Sequence, residues 1–337
     1  MLPDFANPAD WLPWAFASLM GLSILTYVIL DGFDLGVGIL FPLASPVEQD
    51  KMIGSIGPFW DANETWLVMA VGLLLVAFPT AHGMILTALY LPVFIMLIGL
   101  ILRGVAFEFR AKARDHHKSL WNRAFFAGSL MTALAQGFML GLYVMGLEQT
   151  ATTYAFATVT AVFLAVGYSF IGATWLIHKT EGPLQQKSVR WARESLWGVI
   201  LGLAAVSAAT PLVSTRILDK WLAFPEILYL SPLPIISGLL IVWLWRMLRQ
   251  MPFDGDRSSW LPFTVSTGLF ALAYVGMAYS FYPYVVPERL TIYEAAAAPE
   301  SLFIILIGAL VVLPIIMGYS ILAYTIFRGK ATDLRYD

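Results

Sequence analysis

Nine stretches of this chain are long and apolar enough to cross a bilayer, and this constrains its fold more than any motif does. A hydrocarbon layer of ~30 Å needs about 20 helical residues at ~1.5 Å each. The stretches run near Trp14 to Leu40, Ile53 to Phe78, Met84 to Phe109, Ala124 to Gly146, Thr153 to Ile177, Ser195 to Val213, Leu233 to Leu248, Leu261 to Tyr282 and Leu302 to Phe327. The seventh is the weakest, because Pro232 and Pro234 soften its edge and it needs Leu228 to Leu230, or the turn at Arg246, to reach full length. Composition agrees, with 59% hydrophobic and only 12% charged residues, where a soluble domain carries about 25% charged. The expected fold is one all-α integral membrane domain over residues 1–337 with nine transmembrane helices. The acidic start MLPDFANPAD lacks the Lys or Arg of a cleavable signal, so the N-terminus is expected to be kept. With no cysteine, the chain has no disulfide, thiolate-bound zinc or iron–sulfur cluster.

Lys and Arg set the orientation, because they concentrate on the cytoplasmic side of a membrane protein. One alternate set of connections holds Lys51, Arg110, Lys112, Arg114, Lys118, Arg123, Lys179, Lys187, Arg190, Arg193, Arg246, Arg249, Arg257, Arg328, Lys330 and Arg335. The other holds Arg216, Lys220 and Arg289. That asymmetry predicts a periplasmic N-terminus and a cytoplasmic C-terminus, as an odd number of spans requires. The basic loops are explained by topology and imply no nucleic acid.

Against this background six ionisable groups stand out inside apolar stretches: Asp31 and Asp34 in span 1, Asp61 and Glu64 in span 2, Arg103 and Glu108 in span 3. A charge at the bilayer centre costs about 2.5 to 3.5 kcal/mol on insertion scales, so such groups pair, protonate or conduct. The predicted orientation places all six in the cytoplasmic half. Residues three apart lie about 60° from one another around a helix, so Asp31 shares a face with Asp34, and Asp61 with Glu64. One arginine cannot neutralise five carboxylates, and burial then favours protonated acids, the condition for a proton relay. The structural alternative is that Arg103 and the acids clamp three helices, with Glu64 and Glu108 the readiest to serve that role. The spacing of Gly32 and Gly36 suits close approach of another helix.

The four histidines, His82, His116, His117 and His178, fall at span ends or in loops, which argues against haem held by this chain alone. Trp11, Trp14, Trp121, Trp221 and Trp260 suit an interfacial aromatic belt. Trp60 and Trp66, flanking the acidic pair, are candidates for contact with a quinone ring or its tail, with helix packing the plainer explanation. Asn63-Glu64-Thr65 matches a glycosylation pattern inside a span and is read as chance. Spans 5 to 9 carry no charge away from their ends. An active front bundle and an apolar rear one, without haem ligands or a soluble-enzyme motif, read as a partner subunit rather than a complete enzyme. The alternatives are a stand-alone proton- or sodium-coupled transporter, which should show inverted repeats with broken helices, and a purely structural subunit.

The segments YVILDGFDLGVGILFP, IGPFWDANETWLV, AFPTAH, LYLP, ILRGVAFEFR and AQGFMLG, with LTIYEAAAAPESL, LPIIMGYSILAY and FRGK near the end, resemble subunit II of the cytochrome bd family of quinol oxidases. The compact length is similar to its cyanide-insensitive branch, and Ala62 replaces a glycine often found in WDGN. The resemblance implies two four-helix bundles, here 12–147 with the buried charges and 152–283, plus a peripheral helix at 300–328. It implies a homologous subunit I in the bacterial inner membrane holding haems b558, b595 and d (or b), with none in subunit II, and a possible small single-helix accessory subunit. It also implies a cytoplasmic proton route through Asp61, with Asp31 and Asp34 matching DGFD and Arg103 and Glu108 matching RGVAFEFR. Some members hold a quinone, here a possible ubiquinone, or a lipid near the residue matching Trp60.

Overall fold

In hydrocarbon every backbone N–H and C=O must be satisfied within the protein, a requirement that helices meet turn by turn. The computed structural model describes residues 4–213 and 215–331, and Arg335 lies outside them. Its helices are α1 (Pro8–Leu40), α2 (Pro46–Ile56), α3 (Trp60–Ala77), α4 (Pro79–Lys112), α5 (Asp115–Val144), α6 (Ala151–Lys179) and α7 (Gly182–Val213). They continue as α8 (Thr215–Leu222), α9 (Glu226–Leu230), α10 (Pro232–Gln250), α11 (Leu261–Phe281), α12 (Ile292–Ala295) and α13 (Pro299–Ile326). Among the described residues nine segments are long and apolar enough to cross a membrane. The weak seventh is Glu226–Gln250, reaching span length by adding α9 to α10 across Ser231, as the preceding leucines suggested.

Two features depart from the sequence expectation. The second span does not begin at Ile53: α2 ends at Ile56, residues 57–59 form a turn, and α3 starts at Trp60. Pro58 lacks the N–H that would continue the helical ladder, while the apolar residues on both sides keep the hydropathy continuous. The second departure is a short antiparallel ribbon, β1 (Tyr284–Val286) with β2 (Leu290–Thr291), the one pair of strands among the described residues. Thr291 then starts α12 with a capping box: its hydroxyl accepts from the Glu294 N–H, and the Glu294 carboxylate accepts from the Thr291 N–H.

The chain divides into two compact units, with α1 and α4 contributing to both. The first comprises residues up to Asp31, Pro58–Leu89 and Phe281–Arg328. Its core joins α1, α3 and α13 through Tyr27, Trp66 and Leu313, packed by Leu19, Leu30, Leu67 and Ile316. Phe59 stacks on Tyr324 with centroids 4.4 Å apart, and the Ala297 N–H donates to the Ala77 carbonyl at 2.8 Å.

The second unit comprises, among the described residues, Gly32–Gly57, Tyr90–Ser280 and residues 329–331. Here α6 packs between α5 and α7. The Gly32 and Gly36 face of α1 receives α6, as the spacing anticipated: a Cβ on Gly36 would fall 1.8 Å from the Tyr168 carbonyl oxygen. Phe33, Trp175 and Phe263 form an aromatic cluster, and Trp175 Nε1 donates to the Ser55 carbonyl at 3.3 Å. Residues 329–331 are tied down as well. Lys179 donates to the Gly329 carbonyl and Lys330 to the His178 carbonyl, while Lys330 also pairs with Asp256.

Candidate functional site

Three of the six singled-out ionisable groups are wholly enclosed within the chain. Asp31 is 0% exposed, Asp34 1% and Arg103 2%. Each stands in the interior of a long apolar helix, α1 for the acids and α4 for the arginine. Glu64 and Glu108 are half-buried. Asp61 is exposed, and the reason is the turn at 57–59. Because α3 begins at Trp60, Asp61 falls in the first turn of a helix, where unsatisfied N–H groups and the helix dipole favour a carboxylate. A continuous helix from Ile53 would have placed it deeper.

Within the first unit, α1 and α3 are joined beside these acids by a residue that sequence reasoning set aside. Asn63 is fully buried, its Nδ2 donating to the Leu30 carbonyl at 3.4 Å and its Oδ1 accepting from the Tyr324 hydroxyl at 3.0 Å. The glycosylation pattern is therefore a packed polar clamp linking α1, α3 and α13. Its signal was a lone amide in an apolar span. Tyr324→Phe should lower stability by about 1 kcal/mol, the worth of one such bond, read as a lower unfolding midpoint. Trp66 is also buried here, and its Nε1–H has no hydrogen-bond partner among the described residues. Trp60 is half-buried.

Within the second unit, α5 lies against the helix faces that carry Asp34 and Arg103. Gly38 is one turn beyond Asp34 on α1, and a Cβ there would come within 2.1 Å of Ser129 Oγ. Gly99 is one turn before Arg103 on α4, and a Cβ there would come within 2.4 Å of Thr132 Oγ1. Gly128 of α5 abuts the Arg103 backbone nitrogen, 2.7 Å from where its Cβ would be. Helical Ser and Thr usually donate to the carbonyl one turn back, as Ser23, Thr160 and Ser169 do here. Ser129 and Thr132 are fully buried, yet their hydroxyls have no hydrogen-bond partner among the described residues. One turn on, Gln136 accepts from the Tyr168 hydroxyl at 2.6 Å. The sequence reading passed over this polar stripe, since nothing in Ser and Thr alone shows which helices they face.

A polar network in the same unit joins α2, α4 and α5 near the end of α4. Arg110, buried, donates to Asp50 at 2.7 Å and to Asn122 at 2.6 Å, and Asn122 donates to Gln49 at 2.8 Å. Beyond it Lys187 pairs with Glu48 at 2.7 Å. Burial pushes the Glu48 carboxyl up, but hydrogen bonds from Lys187 and Ser45 outweigh this and hold it below the ordinary carboxylate range.

His82 and His117 stand in the first turns of α4 and α5, and His178 in the last turn of α6. The side chain of His116 lies outside the description. Among the described residues no three His, Cys, Asp or Glu gather where they could hold a metal ion.

Comparison with known proteins converges on one family. The model of cytochrome bd terminal oxidase subunit II matches residues 12–327. The cytochrome bd ubiquinol oxidase subunit 2 of Bacillus subtilis is 30% identical over 340 residues, covering 93% of this chain and 95% of that protein. The cytochrome bd-I ubiquinol oxidase subunit 2 of Escherichia coli K12 is 25% identical over 363 residues, 93% of each. A chain in the structure of bd oxidase from Geobacillus thermodenitrificans has the same fold, with a TM-score of 0.71 over 95% of this chain and 99% of that one at 17% identity. A family match across nearly the whole length, joined to nine apolar spans among the described residues, makes this a multi-pass membrane protein that belongs to the cytochrome bd terminal oxidase subunit II family.

Proposed function

We propose that this chain is the non-haem subunit of a quinol:O2 oxidoreductase in the bacterial inner membrane, and that it carries protons from the cytoplasm toward a haem-bearing subunit I. The observation that carries this reading is the enclosure of Asp31, Asp34 and Arg103 inside apolar helices, where ionisable groups are costly and seldom idle. Haems b558, b595 and d (or b) are assigned to the partner, because the histidines described here stand at helix ends. When bound there, the haems supply the electron transfer to oxygen. This chain's residues hold and move protons.

In this reading Asp61, at the exposed start of α3, exchanges protons at the surface of the subunit. Asp31 and Asp34 hold them inside, with Glu64 and Glu108 at the margins and Arg103 balancing the charge. Protons consumed in water formation enter from the cytoplasm while those of quinol leave outside, so turnover builds a membrane potential without a pump. The termini follow the basic-residue asymmetry, N-terminus periplasmic and C-terminus cytoplasmic. The helices are assigned to two four-helix bundles, 12–147 and 152–283, with 300–328 peripheral. Trp60 and Trp66 are the quinone- or lipid-contacting residues, and a single-helix accessory subunit completes the complex.

Gentle purification followed by an absorption spectrum and a subunit gel tests the assignment. Haem and a second, larger polypeptide should accompany this chain; a colourless single polypeptide would favour a proton- or sodium-coupled transporter. In the assembled complex Asp61→Asn should slow oxygen consumption about tenfold, less than the roughly hundredfold or more of an enclosed proton-transfer group, because water reaches an exposed position. Normal turnover at unchanged haem content would remove Asp61 from the route.

A further inference from the structure

The connection from α4 to α5 borders an open, shallow pocket of about 440 Å³ whose lining includes Phe109, Lys112, Arg114, His117, Leu120 and Trp121. Membrane topology explains why basic residues occur in this loop, but not why they share a cavity with large apolar side chains. The crossing part of α4 ends at Arg110 and that of α5 begins at His117. Phe109, Leu120 and Trp121 therefore stand at the facing ends of the two spans, and Lys112 and Arg114 between them. The Phe109 and Trp121 rings pack 5.2 Å apart.

Two further observations narrow the ligand. Phe109, Val105 and Ile101 are all exposed and recur every four residues, so they form one apolar ridge along α4 leading away from the pocket. Across residues 110–123 Asp115 is the single acid against five Lys and Arg, and Arg110 is taken up by Asp50 of α2. A complementary ligand must carry negative charge at one end and an apolar chain at the other. A free phosphate would leave the ridge unused, and a zwitterionic headgroup would bring its own cation to a cationic rim.

We propose that this pocket binds an anionic glycerophospholipid, its phosphate between Lys112 and Arg114, its glycerol beside Trp121 and an acyl chain along Phe109, Val105 and Ile101. Basic pockets at the ends of membrane helices hold anionic headgroups in this way. The test uses the intact complex, delipidated and reloaded with phosphatidylglycerol or phosphatidylcholine, with bound lipid read by native mass spectrometry. Phosphatidylglycerol should be retained and phosphatidylcholine lost. Lys112→Gln and Arg114→Gln should each weaken retention about fivefold, and together about thirtyfold, at unchanged haem content. Should the double variant fail to assemble, the single variants decide. Equal retention of both lipids, or full retention by the variants, would overturn the proposal. So would displacement of the lipid by excess inorganic phosphate, which would mark a free-anion site. An Arg114→Cys thiol that resists alkylation in the delipidated complex would place the pocket beneath the partner subunit and overturn it equally.

Discussion

Asp34→Asn is expected to cut quinol-driven oxygen consumption about a hundredfold while leaving haem content and subunit stoichiometry unchanged. Asparagine keeps the size and hydrogen-bonding capacity of the side chain but cannot ionise or release a proton. Asp34 is fully enclosed on α1, so bulk water cannot bypass it as it can Asp61, and the loss should reach the scale of a missing proton-transfer group. Asp34→Glu should recover part of the rate, since it restores the titrating group at the cost of one methylene in a packed site. The spectrum of the purified variant, beside its steady-state rate, separates this outcome from a failure to assemble. A variant with full haem and a normal rate would reduce Asp34 to a structural role.

The second large effect concerns packing. Gly36→Val should destabilise the subunit by at least about 3 kcal/mol and abolish recovery of the complex. A Cβ on Gly36 would lie 1.8 Å from the Tyr168 carbonyl oxygen, 2.6 Å from its carbonyl carbon and 3.1 Å from the Gly172 Cα. All three are backbone atoms of α6, so no rotamer change relieves the clash, and α1 and α6 must separate. Gly72→Ala provides the contrast, because nothing lies within 4 Å of its added Cβ, and its yield should be unchanged. The comparison is read as complex recovered per cell and as the midpoint of thermal unfolding.

The long spans were legible because hydropathy over about 20 residues is a strong signal, and because buried and lipid-facing positions are alike apolar. The same property hid the turn at 57–59. Ile53 and Ile56 before it, Phe59 within it and Trp66 beyond it are all buried and read as one continuous span, so a helix from Ile53 puts Asp61 deeper than its true position in the first turn of α3. Gly32 and Gly36 announce a close helix contact, but spacing on one helix cannot name its partner, and the contacts with Tyr168 and Gly172 identify it as α6. Enclosure of Asp31, Asp34 and Arg103 followed from their apolar flanks. The Asn63 to Tyr324 bond, spanning 261 residues, and the stripe of Ser129, Thr132 and Gln136 are tertiary facts with no local periodicity to reveal them.

Proton uptake during a single turnover with oxygen, followed together with haem oxidation in the intact complex, tests the proton-carrying role most directly. The wild-type complex should take up protons from the cytoplasmic side in step with oxygen reduction. In the Asp34→Asn complex electrons should still reach oxygen while uptake from that side lags far behind. Uptake as fast in the variant as in the wild type would contradict the account, leaving the enclosed acids and Arg103 as a clamp between helices.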